Sequence, residues 1–194
     1  MMQSFPSESG NMPTMPRVIG IDSSLTATGL ARIDYGGQNI WTIDTATVGA
    51  PKPTADKSKR AMARRVNALL DQIEGALDAS VDLMAMEGLA YGAKGDSAWV
   101  LPWIFGRVIE LAEKHDKPLI IVATSARAKY ATGNGRADKD TVLAAAIKRW
   151  PEADIANNNE ADATIVGVVG MHYLGHPLGE PTKFQLDVLE KVEH

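Results

Sequence analysis

Apolar positions along the chain change period several times, and each change marks an element. Residues 17–22 (RVIGID), 25–34 (LTATGLARID) and 38–48 (QNIWTIDTATV) are short segments rich in Val, Ile, Thr and Trp. Ser23-Ser24 separates the first two, and Asp34-Tyr35-Gly36-Gly37 offers hairpin-turn residues before the third. Three antiparallel strands are predicted. After a Pro-rich link at 50–53, Met62, Val66, Leu69, Leu70, Ile73 and Leu77 fall on one helical stripe. Residues 81–87 (VDLMAME) are too few for a helix and read as a strand covered on both faces. Val100, Ile104, Val108 and Leu111 resume helical spacing, and 118–124 (PLIIVAT) form a further buried strand. A loop, ATGNGRA, leads to Asp138 as the N-cap of a helix with Val142, Leu143, Ala146, Ile147 and Trp150 on its inner face. The last long element starts near Asn159 and carries no charge after Asp162 up to Leu174, which predicts a helix buried on most sides against the sheet.

Three antiparallel strands followed by alternating helices and strands predict an α/β mixed sheet flanked by helices. Residues 1–16, mixed in Ser, Pro, Met, Asn and Gly without period, read as a flexible N-terminal arm. The folded domain is expected over 17–174, with a Pro- and Gly-punctuated C-terminal extension over 175–194 that ends in a short helix at 184–192. A length of 194 residues and a 45% hydrophobic composition suit one domain with a real core.

The chain has no cysteine, so thiolate zinc sites, disulfides and cysteine nucleophiles are excluded, and a metal would be held by oxygen or imidazole ligands. Oxygen ligands point to Mg²⁺ or Mn²⁺. A net charge of -4 counts against a general DNA coat, although 57–65 (KSKRAMARR) and the group Arg127, Lys129, Arg136 and Lys139 supply local positive surface. Solvated helix faces are the plainer reading of both. No apolar run approaches the roughly 20 residues of a membrane span, and the opening lacks the charged and apolar regions of a signal peptide. A cytoplasmic protein without membrane contact is expected.

Asp22 stands where an apolar strand leaves the core, so its carboxylate needs a cation or hydrogen-bond donors, or else its pKa rises. A simpler role is to cap the turn with Ser23 and Ser24. Thr26, Thr28 and Gly29 allow close approach of a ligand. Glu87 is a lone acid at the end of LMAM with Gly88 next to it, and a water-facing strand end is its simpler reading. Asp162 opens the uncharged helix; Asn159, three residues earlier, lies about 60° away around an ideal helix and shares its face, whereas Glu160 lies about 200° away. Glu160 joins Asp162 only if the helix begins after it, and otherwise favours the helix N-terminus. Acids at two strand ends and a helix start converge if the strands are neighbours and the helix packs over them. Three such carboxylates repel unless a divalent metal neutralises them. Two Mg²⁺ ions about 3.5–4 Å apart would then support phosphodiester hydrolysis, with Asp22 as the bridging ligand.

The motifs VIGIDSSLTATGLARI, DLMAMEGLAYG, ATSARAKYATGNGRADKDTVLAAAIKRW and NNNEADATIVG, in this order and spacing over about 17–174, resemble the RuvC-like Holliday junction resolvases, particularly their phage-type branch. The resemblance implies an RNase H-like fold and a nuclease domain over 17–174 that cuts branched DNA with divalent metal. It carries the catalytic acids onto Asp22, Glu87 and Asp162. Where the family usually has Asp or His three residues before the last Asp, this chain has Asn159, so either Asn159 or Glu160 completes the ligand set, or a second metal is loosely held. Lys129 and Lys139 resemble the family's basic residues beside the site, and Lys139 is the expected catalytic lysine. Arg127 and Arg136 are expected DNA contacts beside them. In the loop after Glu87, Tyr91, Lys94 and Trp99 could stack on an unpaired base or meet a phosphate at the branch point. The resemblance further implies a homodimer, because a four-way junction presents two symmetric strands, with Trp103 or the Met62 stripe as candidate contacts. Two other readings stand beside this one. One is a nucleotide-binding protein of the actin and sugar-kinase type; the other is a branched-DNA-binding module without cleavage, motivated by Asn159.

Overall fold

The computed structural model describes residues 15–38, 40–52, 55–89 and 95–194. Tyr91 and Lys94, and most of the arm expected over 1–16, lie outside them. Five strands form one sheet: β1 (Arg17–Asp22), β2 (Thr28–Gly37), β3 (Ile40–Val48), β4 (Leu83–Glu87) and β5 (Leu119–Val122), in the order β3-β2-β1-β4-β5. β1, β2 and β3 pair antiparallel, and β4 and β5 continue the sheet parallel to β1. The expected turn at Asp34–Gly37 is instead strand with a bulge near Gly37, and the chain reverses at Gln38 with φ 51.

Strand parity sorts the core. Val18, Leu83, Ala85, Ile120 and Val122 face one side, where they meet Ile165, Val166, Val168 and Val169. Ile19, Ile21, Met84 and Met86 face the other, against Val66, Leu69, Ile73, Val100, Ile104 and Val108. That second face is covered by α1 (Lys59–Glu74) and α2 (Ser97–Lys114), which carry the two predicted stripes. α1 stops at Glu74, so Leu77 is buried beyond the helix rather than on it.

The first face is covered by α3 (Thr124–Thr132), α4 (Lys139–Arg149), α5 (Asn158–Tyr173) and α6 (Lys183–Leu189). α5 is buried at every position from Glu160 to His172, as its lack of charge predicts. The strand expected over 118–124 ends at Val122, and α3 begins at Thr124 and runs two residues into the expected loop ATGNGRA, of which 133–137 remain a turn. α6 belongs to the same core, with Val188 buried there and Leu189 packed beside it, and Glu193 bridges to Ile121.

Two glycines let α5 lie directly on the sheet. A Cβ at Gly20 would overlap the carbonyl of Ala163, and one at Gly29 the carbonyl of Asn159. The space at Gly29, expected to admit a ligand, is filled by the start of α5.

Candidate active site

β1 and β4 pair in register through Ile21 and Met86, and Asp22 and Glu87 follow one position later on each strand. They have the parity of Val18 and Leu83, so both carboxylates turn toward the face that α5 covers. Asp162 comes down from the first turns of α5 to meet them. One carboxylate oxygen from each of Asp22, Glu87 and Asp162 lies within 4.8 Å of the others. The predicted convergence of these acids is what the fold produces.

The N-terminus of α5 is held by its own polar residues. Asn157 caps it, its side-chain oxygen accepting from the N–H groups of Asn159 and Glu160. Glu160 reaches back to accept from the N–H of Ala156 at 2.8 Å and from the Thr47 hydroxyl at 2.6 Å on β3. Glu160 is therefore not a ligand of the acid cluster: α5 begins before it and turns it to the opposite side, where it fastens the helix to the sheet. Asn159 does line the cleft with Asp162.

Arg127, expected on an exposed basic surface, is only 6% exposed and sits inside the acid cluster. Its Nε donates to Glu87 Oε1 at 3.0 Å, and its Nη1 donates to Asp162 Oδ1. α3 turns it inward, and the buried carboxylates hold it there. Sequence periodicity offers no sign of this placement, because α3 (TSARAKYAT) has no apolar stripe and one of its two charged residues, Arg127, is buried along with Ala128, Tyr130 and Ala131.

Burial dominates the electrostatics. Loss of water, with Glu87 and Asp162 close by, pushes the Asp22 carboxyl up to about 8, against the opposing pull of Arg127. Loss of water likewise lifts Asp162 to about 6, while Arg127 and Lys139 pull the other way. The cluster is short of positive charge. Its donor set, three carboxylates with a neighbouring amide, suits a hard divalent cation such as Mg²⁺ or Mn²⁺.

The acids floor an open cleft of about 640 Å³ whose walls include Ser23, Ser24, Lys52, Arg65, Gly88, Thr124 and Lys139. The turn from Ser23 to Ala27 is clamped by Thr28, whose hydroxyl accepts from the Ser24 N–H and donates to the Ser24 carbonyl. Of the basic run at 57–65, Arg65 lines the cleft; Lys52 joins it there, although sequence reading did not single it out. Lys129 does not line the cleft and pairs with Asp187 at 3.0 Å, tying α3 to α6. Arg136 is exposed in the turn before α4, away from the lining. Trp99, at the start of α2, stacks on Trp103 with centroids 6.0 Å apart, and Lys59 Nζ lies 4.3 Å over its ring.

The family profile described as "Crossover junction endodeoxyribonuclease RuvC" matches residues 18–169. Proteins of the same name from Wolbachia sp. subsp. Brugia malayi and from Dictyoglomus turgidum are 27% and 28% identical, over 79% and 64% of this chain and 93% and 76% of theirs. Among solved structures, Thermus thermophilus RuvC superposes with a TM-score of 0.64 at 18% identity, covering 86% of this chain and 99% of that one. The same protein in complex with a Holliday junction substrate matches equally. The yeast mitochondrial Holliday junction resolvase Ydc2 matches with a TM-score of 0.51 at 14% identity, over 82% of this chain and 79% of its own. With a profile match that runs from β1 into the buried helix α5 and takes in all three acids, the chain belongs to the RuvC family of crossover junction endodeoxyribonucleases.

Proposed function

We propose that this protein is a divalent-metal-dependent, structure-selective endodeoxyribonuclease that cuts branched DNA by phosphodiester hydrolysis. Four-way junctions are the first expected substrate, with flaps and forks as further candidates. The observation that carries this reading is the meeting of Asp22, Glu87 and Asp162 in an open cleft, with a carboxylate oxygen from each within 4.8 Å. Catalytic relatives of the same family, and a relative's complex with a Holliday junction, support it.

Asp22, Glu87 and Asp162 would hold Mg²⁺, or Mn²⁺ in its place, and the Asn159 carbonyl is the fourth candidate ligand. A bound ion there would lower the pKa of an attacking water and offset charge on the scissile phosphate. The chain's own residues do the rest. Lys139, on the cleft wall at the start of α4, offers an ammonium to the charge that builds on the phosphate in the transition state. Lys52 and Arg65 face the same cleft and can take flanking phosphates, positioning a strand over the acids without reading its bases. Arg136 and Lys129 are proposed as more distant contacts outside the cleft. A homodimer would bring two such clefts to the two symmetric strands of a junction. No helix among the described residues is long and apolar enough to cross a membrane.

Cleavage of end-labelled four-way junction, flap and plain duplex with Mg²⁺, with Mn²⁺ and with chelator tests the reading, and sedimentation tests the dimer. Paired metal-dependent nicks in the branched substrates are expected. Junction binding without cuts under any metal would make the protein a branched-DNA binder instead.

A further inference from the structure

We propose that Arg127 is a built-in cation of the active site, occupying the cluster beside a single divalent ion where a second ion would otherwise be needed. The inference rests on the metal-dependent function proposed above and concerns how many ions that function uses.

Three features carry it. Arg127 is buried to the same degree as the acids it serves, with its side chain 7% exposed beside 10% for Glu87 and 9% for Asp162. Its guanidinium spans two of the three acids, one nitrogen to each, a fork that an ammonium could not reproduce. Three carboxylates and one guanidinium leave two negative charges, the complement of one divalent ion. Two divalent ions added to Arg127 would reverse the sign of the cluster, at a cost raised by the burial of the Arg127, Glu87 and Asp162 side chains.

The neutral Asn159 fits the same count. An acid at that place on α5 would add the charge that a second ion needs, and the chain supplies an amide there instead. Asp22, which makes no hydrogen bond to Arg127, is the acid left to the ion, with Glu87 and Asp162 shared between ion and guanidinium.

Mn²⁺ titration of the intact protein, followed by calorimetry and by the spin-resonance signal of free Mn²⁺, tests the inference without reference to cleavage. The wild type should bind one equivalent that Asp22→Asn abolishes. Arg127→Gln should bind two equivalents, and Arg127→Lys, which keeps the charge, should bind one. Without metal, Arg127→Gln should melt roughly 10 °C below the wild type, as expected for a buried charge cluster that has lost its partner, and saturating Mn²⁺ should recover most of that loss.

Two equivalents bound by the wild type would overturn the inference, because Arg127 would then yield its place to the second ion. So would a single equivalent in both wild type and Arg127→Gln. The proposed function fails separately: if the wild type binds no Mn²⁺ at all, the metal-dependent reading falls with the inference. If it binds two and cuts junctions, that reading stands and only the role of Arg127 is lost.

Discussion

Asp22 and Glu87 are brought together by parity and register, each one step beyond a paired apolar residue and each on the side that α5 covers. What distinguishes them from ordinary strand-end acids is loss of water, and this has a consequence for the protein without metal. In the unfolded chain Asp22 and Asp162 titrate near the usual carboxylate range, whereas in the fold they are lifted to about 8 and about 6. Between about pH 4 and pH 8 the folded state therefore binds more protons than the unfolded one, and stability is lost as pH rises through that window. Thermal melts in chelator should show Tm falling from pH 5 to pH 8, and saturating Mg²⁺ should flatten the slope. Glu160 makes the opposite case, an acid two residues from Asp162 that works on the helix. Glu160→Gln should lower stability by about 1–2 kcal/mol, through weakened contacts with Thr47 and the Ala156 N–H, and leave the Mn²⁺ dissociation constant unchanged.

At the scale of elements, the sheet and the helices α1, α2, α4 and α5 were legible because each announces itself by period or by a run without charge. The three acids were legible for a related reason: a charged residue ending an apolar strand, or opening an apolar helix, stands out. α3 was not. Its sequence has neither apolar stripe nor run, and it is held by Ala128, Tyr130 and Ala131 in the core together with Arg127 meeting carboxylates that arrive from β4 and α5, contacts 40 and 35 residues away in sequence. Loop chemistry misled in the same way at Gly29, where the missing side chain serves a helix rather than a ligand. The backbone of α5 is so close that Gly29→Ala should cost about 1–3 kcal/mol or more and shift the start of α5, and with it Asp162. Denaturant melts would measure the loss, and weaker Mn²⁺ binding would report the displacement.

Across the whole molecule, an overall negative charge coexists with a cleft whose walls carry Lys52, Arg65 and Lys139 above an acidic floor. Positive walls attract the DNA backbone, and the floor repels it until cations are bound. Lys52→Ala should weaken junction binding and reduce the slope of log affinity against log salt by about 1, without changing which structure is preferred. A fluorescence-anisotropy titration at several salt concentrations would show it.

The central claim is that Asp22, Glu87 and Asp162 act as one metal-holding unit on branched DNA. Single-turnover cleavage of a four-way junction in Mg²⁺ by Asp22→Asn, Glu87→Gln and Asp162→Asn, with junction affinity measured alongside, tests it most directly. Each variant should still bind the junction and should lose about 10³-fold or more in cleavage rate. Cleavage within about tenfold of the wild type by any one of the three would contradict it.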